Sequence, residues 1–146
     1  MRRLTIQPCA DSHGLVFVLA HMTPPLTTLG LLETLAEPTR LRIVNCLAAA
    51  PLFVSDLQTL LDIPQPTVSR HLRVLRDAGL VRDTPIAQFV LYRLRRPAEP
   101  LGRVLASVLD AAMADPALRA ARADAHEQSR RDTRVRTEAD LEGHPA

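Results

Sequence analysis

The segment IPQPTVSRHLRVLRDAGLVRD, residues 63–83, concentrates side chains that could bind an anion or transfer a proton. It holds four arginines and two aspartates beside glutamine, threonine, serine and histidine, but it has no metal-ligand spacing and no nucleophile with a base beside it. Residues 65–96 contain seven arginines and two acids, a net charge of +5 in a chain whose net charge is +2. Such a local excess of positive charge favours a polyanionic partner.

The helical arrangement of this segment separates an apolar stripe from a polar face. At 100° per residue, Val68, Leu72 and Leu75 fall on one side and the polar residues on the other. Glutamine can bond adenine, arginine can bond guanine, and serine or threonine can bond bases or phosphates. The first turn of such a helix usually meets base edges, and arginines at its flanks suit phosphates. The predicted DNA contacts are therefore Gln65, Thr67, Ser69, Arg70 and Arg73, with Arg76 and Arg82 on phosphates.

The elements around this segment are typical of a helix-turn-helix. Leucines at helical spacing predict helices over residues 25–36, 37–50 and 55–61, with Ser55 and Asp56 as start signals for the third. Pro64 follows, and the next helix spans residues 65–78, with Gly79 as its stop. A short helix, a turn of three or four residues and a second helix define the motif. After Gly79 the apolar period changes to two, which predicts a β-hairpin turning at residues 85–87.

The last predicted helix of this domain has an apolar face larger than the flank of a small domain needs, so we expect a dimer interface there. Its interface residues are Leu101, Val104, Leu105, Val108 and Leu109. The chain then divides into a flexible arm (residues 1–22), a DNA-binding and dimerisation domain (residues 23–115) and a charged tail (residues 116–146) that begins helical and ends disordered. No apolar segment approaches the roughly 18 residues that a membrane helix needs.

The stretches LAEPTRLRIVNCL, DLQTLLDIPQPTVSRHLRVLRDAGLV and VLYRL closely resemble the ArsR/SmtB family of transcriptional repressors, over about residues 26–115. The resemblance implies a mainly α fold with a small β-hairpin, a dimeric winged helix-turn-helix. It also implies a homodimer joined through its first and last helices. The homodimer would bind an inverted-repeat DNA operator, and an inducer would release it from the DNA. By position, the family's DNA contacts fall on Gln65, Thr67, Ser69, Arg70 and Arg73.

The chain departs from the family's known inducer sites. The two thiolate positions of the arsenic-sensing branch hold Phe53 and Ser55, and neither binds a soft ion well. Between residues 101 and 113 there is Asp110 and no histidine, so the zinc site of the last helix is also absent. No metal site and no required cofactor is therefore expected. Cys9 and Cys46 remain weak candidates for an arsenic, metal or thiol-redox effector, although a cysteine on an apolar helix is more often simply buried.

The hairpin tip is a further departure from the family, and two other functions have to be considered. The hairpin tip, residues 84–88, lacks the glycine and arginine common in family wings, so phosphate contacts would come from Arg93, Arg95 and Arg96 if these face DNA. Two cysteines make no disulfide framework, which suggests the cytoplasm. An enzyme is not expected, because no catalytic arrangement of side chains is present. The alternative function is a winged-helix module that binds only proteins, and salt-dependent DNA binding would distinguish the two.

Overall fold

The computed structural model describes residues 25–142, which form six helices and a three-stranded antiparallel sheet. The helices are α1 (Thr28–Leu35), α2 (Pro38–Ala49), α3 (Val54–Leu61), α4 (Gln65–Asp77), α5 (Leu101–Ala112) and α6 (Pro116–Glu142). The strands are β1 (Leu52–Phe53), β2 (Val81–Ile86) and β3 (Phe89–Leu94), in the spatial order β1-β3-β2. The mainly α, winged helix-turn-helix class is confirmed. The arm predicted for residues 1–22 lies outside the described residues.

Capping side chains set where the first two helices begin. The Thr27 hydroxyl accepts a hydrogen bond from the Gly30 N–H at 3.0 Å, so α1 begins at Thr28, three residues later than predicted. Glu37 caps α2 by accepting from the Arg40 N–H at 2.8 Å, and Pro38 occupies the first turn, where its missing N–H costs nothing. The starts of both helices thus use side-chain oxygens to bond amide groups that a helix leaves unpaired in its first turn.

Aliphatic side chains from every helix fill one core. Its fully buried members include Leu31, Ile43, Val44, Leu52, Leu57, Val68, Leu72, Leu75, Leu80 and Leu105. Because the chain has no tryptophan and only three phenylalanines, the core depends on leucine, isoleucine and valine side chains fitting closely together.

The sheet differs from the predicted hairpin in two ways. The turn lies at residues 87–88, and Pro85 is a strand residue that pairs with Val90. Proline is tolerated there because β2 is an edge strand with a single neighbour in the sheet. The predicted turn at residues 85–87 is therefore wrong. No sequence pattern predicted β1, whose two buried residues pair with Tyr92 and Leu91.

Helix α6 corrects the predicted boundary at residue 115. In the segment predicted to be a charged tail, Ala125 is fully buried and Ala121 packs against the same core. The predicted helical start of the tail is present, but the helix continues to Glu142. Small alanine side chains let α6 approach α2 closely, so residues 116–132 belong to the packed unit. Their charged residues hid this from a search for large apolar side chains.

Helix α5 corrects part of the predicted dimer interface. Leu105 and Leu109 are 1% and 4% exposed within the single chain, where they pack in its own core. They face inward because α5 lies against α1 and α2, so their burial needs no second subunit. Leu101, Val104 and Val108 keep part of their surface accessible, and for these three the interface stays a prediction.

Candidate nucleic-acid interface

Helices α3 and α4 form the helix-turn-helix, and both ends of α3 are held by polar contacts. At its start, Asp56 accepts the Phe53 N–H at 2.8 Å, which confirms Asp56 as a start signal. At its end, the Arg42 guanidinium donates to the Leu61 carbonyl at 3.1 Å. Asp62 follows in the left-handed conformation, with φ of 53°, and Pro64 precedes the first residue of α4. The turn that connects the two helices is therefore three residues long.

Helix α4 presents a polar face to solvent, as its sequence predicted. Val68, Leu72 and Leu75 are each 0% exposed, so the apolar stripe is entirely inside the core. The opposite face carries four of the predicted DNA contacts, which are all exposed: Gln65, Ser69, Arg70 and Arg73. Thr67, also predicted, is half-buried in the first turn. The structure thus brings the base-reading candidates together on one accessible surface, while their contact with DNA stays a prediction.

His71 fixes α4 to α2 rather than facing solvent. Its side chain is almost buried, and its Nδ1 lies 3.4 Å from Oε2 of Glu37, the cap of α2. Burial alone would raise the pKa of Glu37. That pKa is nevertheless lowered, by backbone hydrogen bonds from Arg40 and Thr39, by the Thr39 side chain and by nearby His71. His71 therefore links α4 to the cap of α2.

The two arginines predicted to contact phosphates differ in their surroundings. The Nη1 atom of Arg76 lies 3.7 Å from Oδ2 of Asp83 on β2, and its Nε atom lies 4.0 Å from Oδ1 of Asp77. Part of the charge of Arg76 is therefore already compensated. Arg82 is exposed and stands directly opposite Arg93 in the register of β2 and β3. Like charges directly opposite one another destabilise a sheet, and a phosphate bound near both would offset that repulsion. Arg93 therefore joins Arg82 as a phosphate candidate.

The tip of the hairpin carries no charge. Residues 84–91 carry no ionisable side chain, and Phe89 is 49% exposed. The Phe89 ring meets the Phe53 ring edge to face, with centroids 6.0 Å apart, which fixes the tip against the start of α3. Ala87, at the turn, has φ of 52°, a conformation that favours glycine. The charge that this hairpin could offer to DNA therefore lies at its base and not at its tip.

The cysteine of α2 has the surroundings of a structural thiol. Cys46 is 0% exposed, and its Sγ lies 3.8 Å from the Ala121 carbonyl oxygen. Burial raises the pKa of the Cys46 thiol to about 11; nearby Arg42 lowers this pKa and Asp124 raises it, both by smaller amounts. Cys9 lies outside the described residues, so a Cys9–Cys46 site stays a prediction. Phe53, the last residue of β1, is buried and Ser55 on α3 is exposed, and neither supplies a thiolate.

Among residues 25–132, no group of three or more histidine, cysteine, aspartate or glutamate side chains is placed to hold a metal ion. Within the same range, no helix combines the length and apolar character that crossing a bilayer requires.

Comparison with known proteins gives a family match over the helix-turn-helix. Residues 37–83 match the family model described as bacterial regulatory protein, arsR family. The chain is 47% identical over 64 residues to the biofilm growth-associated repressor of Agrobacterium fabrum, covering 44% of this chain and 55% of that protein. It is 38% identical over 93 residues to the arsenic resistance transcriptional regulator ArsR1 of Pseudomonas putida, covering 62% of this chain and 69% of that protein.

A solved structure agrees with these sequence matches. The transcriptional repressor BigR from Xylella fastidiosa superimposes with a TM-score of 0.50 and 26% identity, over 69% of this chain and 96% of that chain. Sequence and fold therefore lead to the same conclusion: the chain belongs to the ArsR family of bacterial regulatory proteins.

Proposed function

We propose that this chain is a sequence-specific DNA-binding transcriptional repressor that acts as a homodimer on an inverted-repeat operator. The observation that carries the proposal is the polar face of α4, where Gln65, Ser69, Arg70 and Arg73 are exposed above a fully buried apolar stripe. Relatives with the same helix-turn-helix are named as repressors, which supports the direction of regulation.

Base reading is assigned to the first two turns of α4. Gln65 can form two hydrogen bonds with adenine, and Arg70 or Arg73 two with guanine O6 and N7. Ser69 lies between them on the same face and suits a base edge or a phosphate. The amino end of α4 also carries the positive end of the helix dipole, which favours a nearby phosphate.

The base of the hairpin supplies phosphate contacts in this proposal. Arg82 and Arg93 are paired across β2 and β3 and exposed, so they present two guanidinium groups to one region of the backbone. Arg76 contributes less, because Asp83 and Asp77 compete for its guanidinium group. Each phosphate neutralised releases counterions, so the affinity should fall steeply as salt rises.

Dimerisation is assigned to α1 and α5. On α1, Leu29 and Leu32 are 65% and 45% exposed, which is a large accessible surface for two leucines on one short helix. On α5, Val104 and Val108 line a mostly apolar groove beside Ser107 and Ala111. Because α1 and α5 pack against each other, the two surfaces are neighbours. A two-fold interface there would cover both and place two copies of α4 on one DNA duplex.

The inducer, if the operator is released by one, is not assigned to a known family site. The positions that hold thiolates in arsenic sensors are here Phe53, at the end of β1, and Ser55 on α3, and Cys46 is buried with a raised pKa. We expect that arsenite, zinc and cadmium do not displace the chain from DNA by binding at these positions.

The experiment that tests the function is selection of a duplex from a random-sequence pool, followed by binding at several salt concentrations. A repressor of this kind should select an inverted repeat, bind it at least about a thousandfold more tightly than non-specific DNA, and lose affinity steeply with salt. Failure to enrich any sequence, together with weak and salt-insensitive DNA binding, would instead support a protein-interaction module.

A further inference from the structure

Helix α6 lies outside the residues that match the family model, yet it crosses the two helices that hold the DNA-reading helix in place. It packs mainly on α2 and also on α3. The contact with α2 is close, because Ala121 and Ala125 are the residues that face it, and Ala125 is 0% exposed. A helix with so charged an outer surface therefore has a specific inner surface.

Two hydrogen bonds join α6 to the rest of the domain across a long sequence separation. The side chain of Asn45, 0% exposed on α2, donates from Nδ2 to the Leu118 carbonyl at 2.7 Å. The side chain of Gln128 donates from Nε2 to Oδ1 of Asp56 on α3 at 3.3 Å. These bonds fix both the position of α6 along α2 and its rotation toward α3.

Asp56 is the residue through which α6 reaches the helix-turn-helix. It is 7% exposed, and its Oδ2 accepts the Phe53 N–H that begins α3 while its Oδ1 accepts from Gln128. Helix α3 has eight residues, fewer than the roughly 12–15 that an isolated helix needs, so its geometry depends on such contacts. The Arg42 bond to Leu61 secures its other end.

A change in the position of α3 must reach α4, because the connection has only three residues and Asp62 is held at positive φ. Gln65 and Thr67 lie within the first three residues after that connection, and their hydrogen bonds to bases would tolerate displacements of only a few tenths of an ångström. We propose that α6 is a positioning element for DNA reading, with Gln128 and Asn45 as its positioning residues. This inference rests on the proposed function, and it concerns the precision of specific binding rather than attraction to DNA in general.

The test uses the full chain with Gln128→Ala, Gln128→Glu and the control Arg131→Ala. Arg131 lies about one turn after Gln128 on α6, but its side chain is exposed and pairs with Glu127. Affinity is measured for the duplex selected by the wild-type chain and for a poly(dI-dC) duplex, and amide hydrogen exchange is measured in α3. Gln128→Ala should weaken binding to the selected duplex about three- to tenfold, the effect of one lost hydrogen bond of ordinary strength, because the bond is long and only partly buried.

Gln128→Glu should weaken it further, because a carboxylate would then face Asp56, and Asp132 lies on the following turn. Both changes should speed exchange at the start of α3 and leave poly(dI-dC) binding within about twofold of wild type. Arg131→Ala should change none of these measurements. Unchanged affinity and unchanged α3 exchange in both Gln128 variants would overturn the proposal, as would an equal loss on both duplexes, which a merely structural role predicts. If the wild-type chain selects no duplex, the proposed function fails, and α3 exchange still reports whether α6 holds α3.

Discussion

The buried thiol of Cys46 should make the stability of the fold depend on pH in the alkaline range. Burial raises its pKa from the ordinary value of 9.0 to about 11. In the unfolded chain the thiol ionises near its ordinary pKa, whereas the folded chain keeps the proton until the raised pKa is reached. The unfolded state therefore binds fewer protons in this window, and the free energy of unfolding falls as pH rises. Two pKa units at about 1.36 kcal/mol each give a loss of about 2.7 kcal/mol.

Urea unfolding of the wild-type chain and of Cys46→Ala, from about pH 8 to about pH 11, measures this effect. Other groups, including Tyr92 with its raised pKa, titrate in both proteins and cancel in the difference. The variant leaves a small cavity, which adds an offset that does not vary with pH. The stability advantage of the wild-type chain should therefore shrink by about 2.3 kcal/mol across the range, because the full loss of about 2.7 kcal/mol is reached only above the folded-state pKa. A difference that stays constant would refute the reasoning, because it would mean that the thiol ionises equally well in both states.

Three other substitutions test the reading face, the subunit contact and the hairpin. Arg70→Ala should weaken binding to the selected duplex by about 1–3 kcal/mol with an unchanged circular dichroism spectrum, while Arg119→Ala on α6 should not; equal affinities in a fluorescence anisotropy titration would remove Arg70 from the base-reading set. Val108→Asp should give a monomer in sedimentation at micromolar concentration, and a monomeric wild-type chain would contradict the proposed dimer. Ala87→Gly should raise the free energy of unfolding by about 0.5 kcal/mol, because glycine adopts positive φ without strain; a lower melting temperature would show that the turn is not strained.

Local chemistry made the helix-turn-helix predictable from sequence. The stripe of Val68, Leu72 and Leu75 repeats at helical spacing, and Gly79 has the positive φ, 74°, that its place after α4 suggests. Pro38 and Glu37 likewise identify the start of α2 by side-chain chemistry alone. In each case the residues that decide the structure lie within one or two turns of one another, so no long-range contact had to be known.

The errors arose where distant contacts decide. A two-residue strand such as β1 has no periodicity, and it exists because β3 provides hydrogen-bond partners about 40 residues away. Leu105 and Leu109 were apolar as expected, but only the packing of α5 shows that they face the chain's own core. Helix α6 escaped because its inner surface is made of alanines, which a search for large apolar side chains does not weigh. The position of Gln128 beside Asp56 follows from that packing alone.

The edge position of Pro85 also bears on how this chain behaves when it is concentrated. Strand β2 pairs only with β3 within the described sheet, so its outer side would offer unpaired amide groups to a second sheet. Pro85 has no N–H to offer, and the exposed arginines at the base of the hairpin, Arg82 and Arg93, repel an identical edge. Edge-to-edge growth into fibrous aggregates is thereby disfavoured although the hairpin tip carries no charge. Association between folded copies would then be confined to the surface of α1 and α5, where we propose a closed pair.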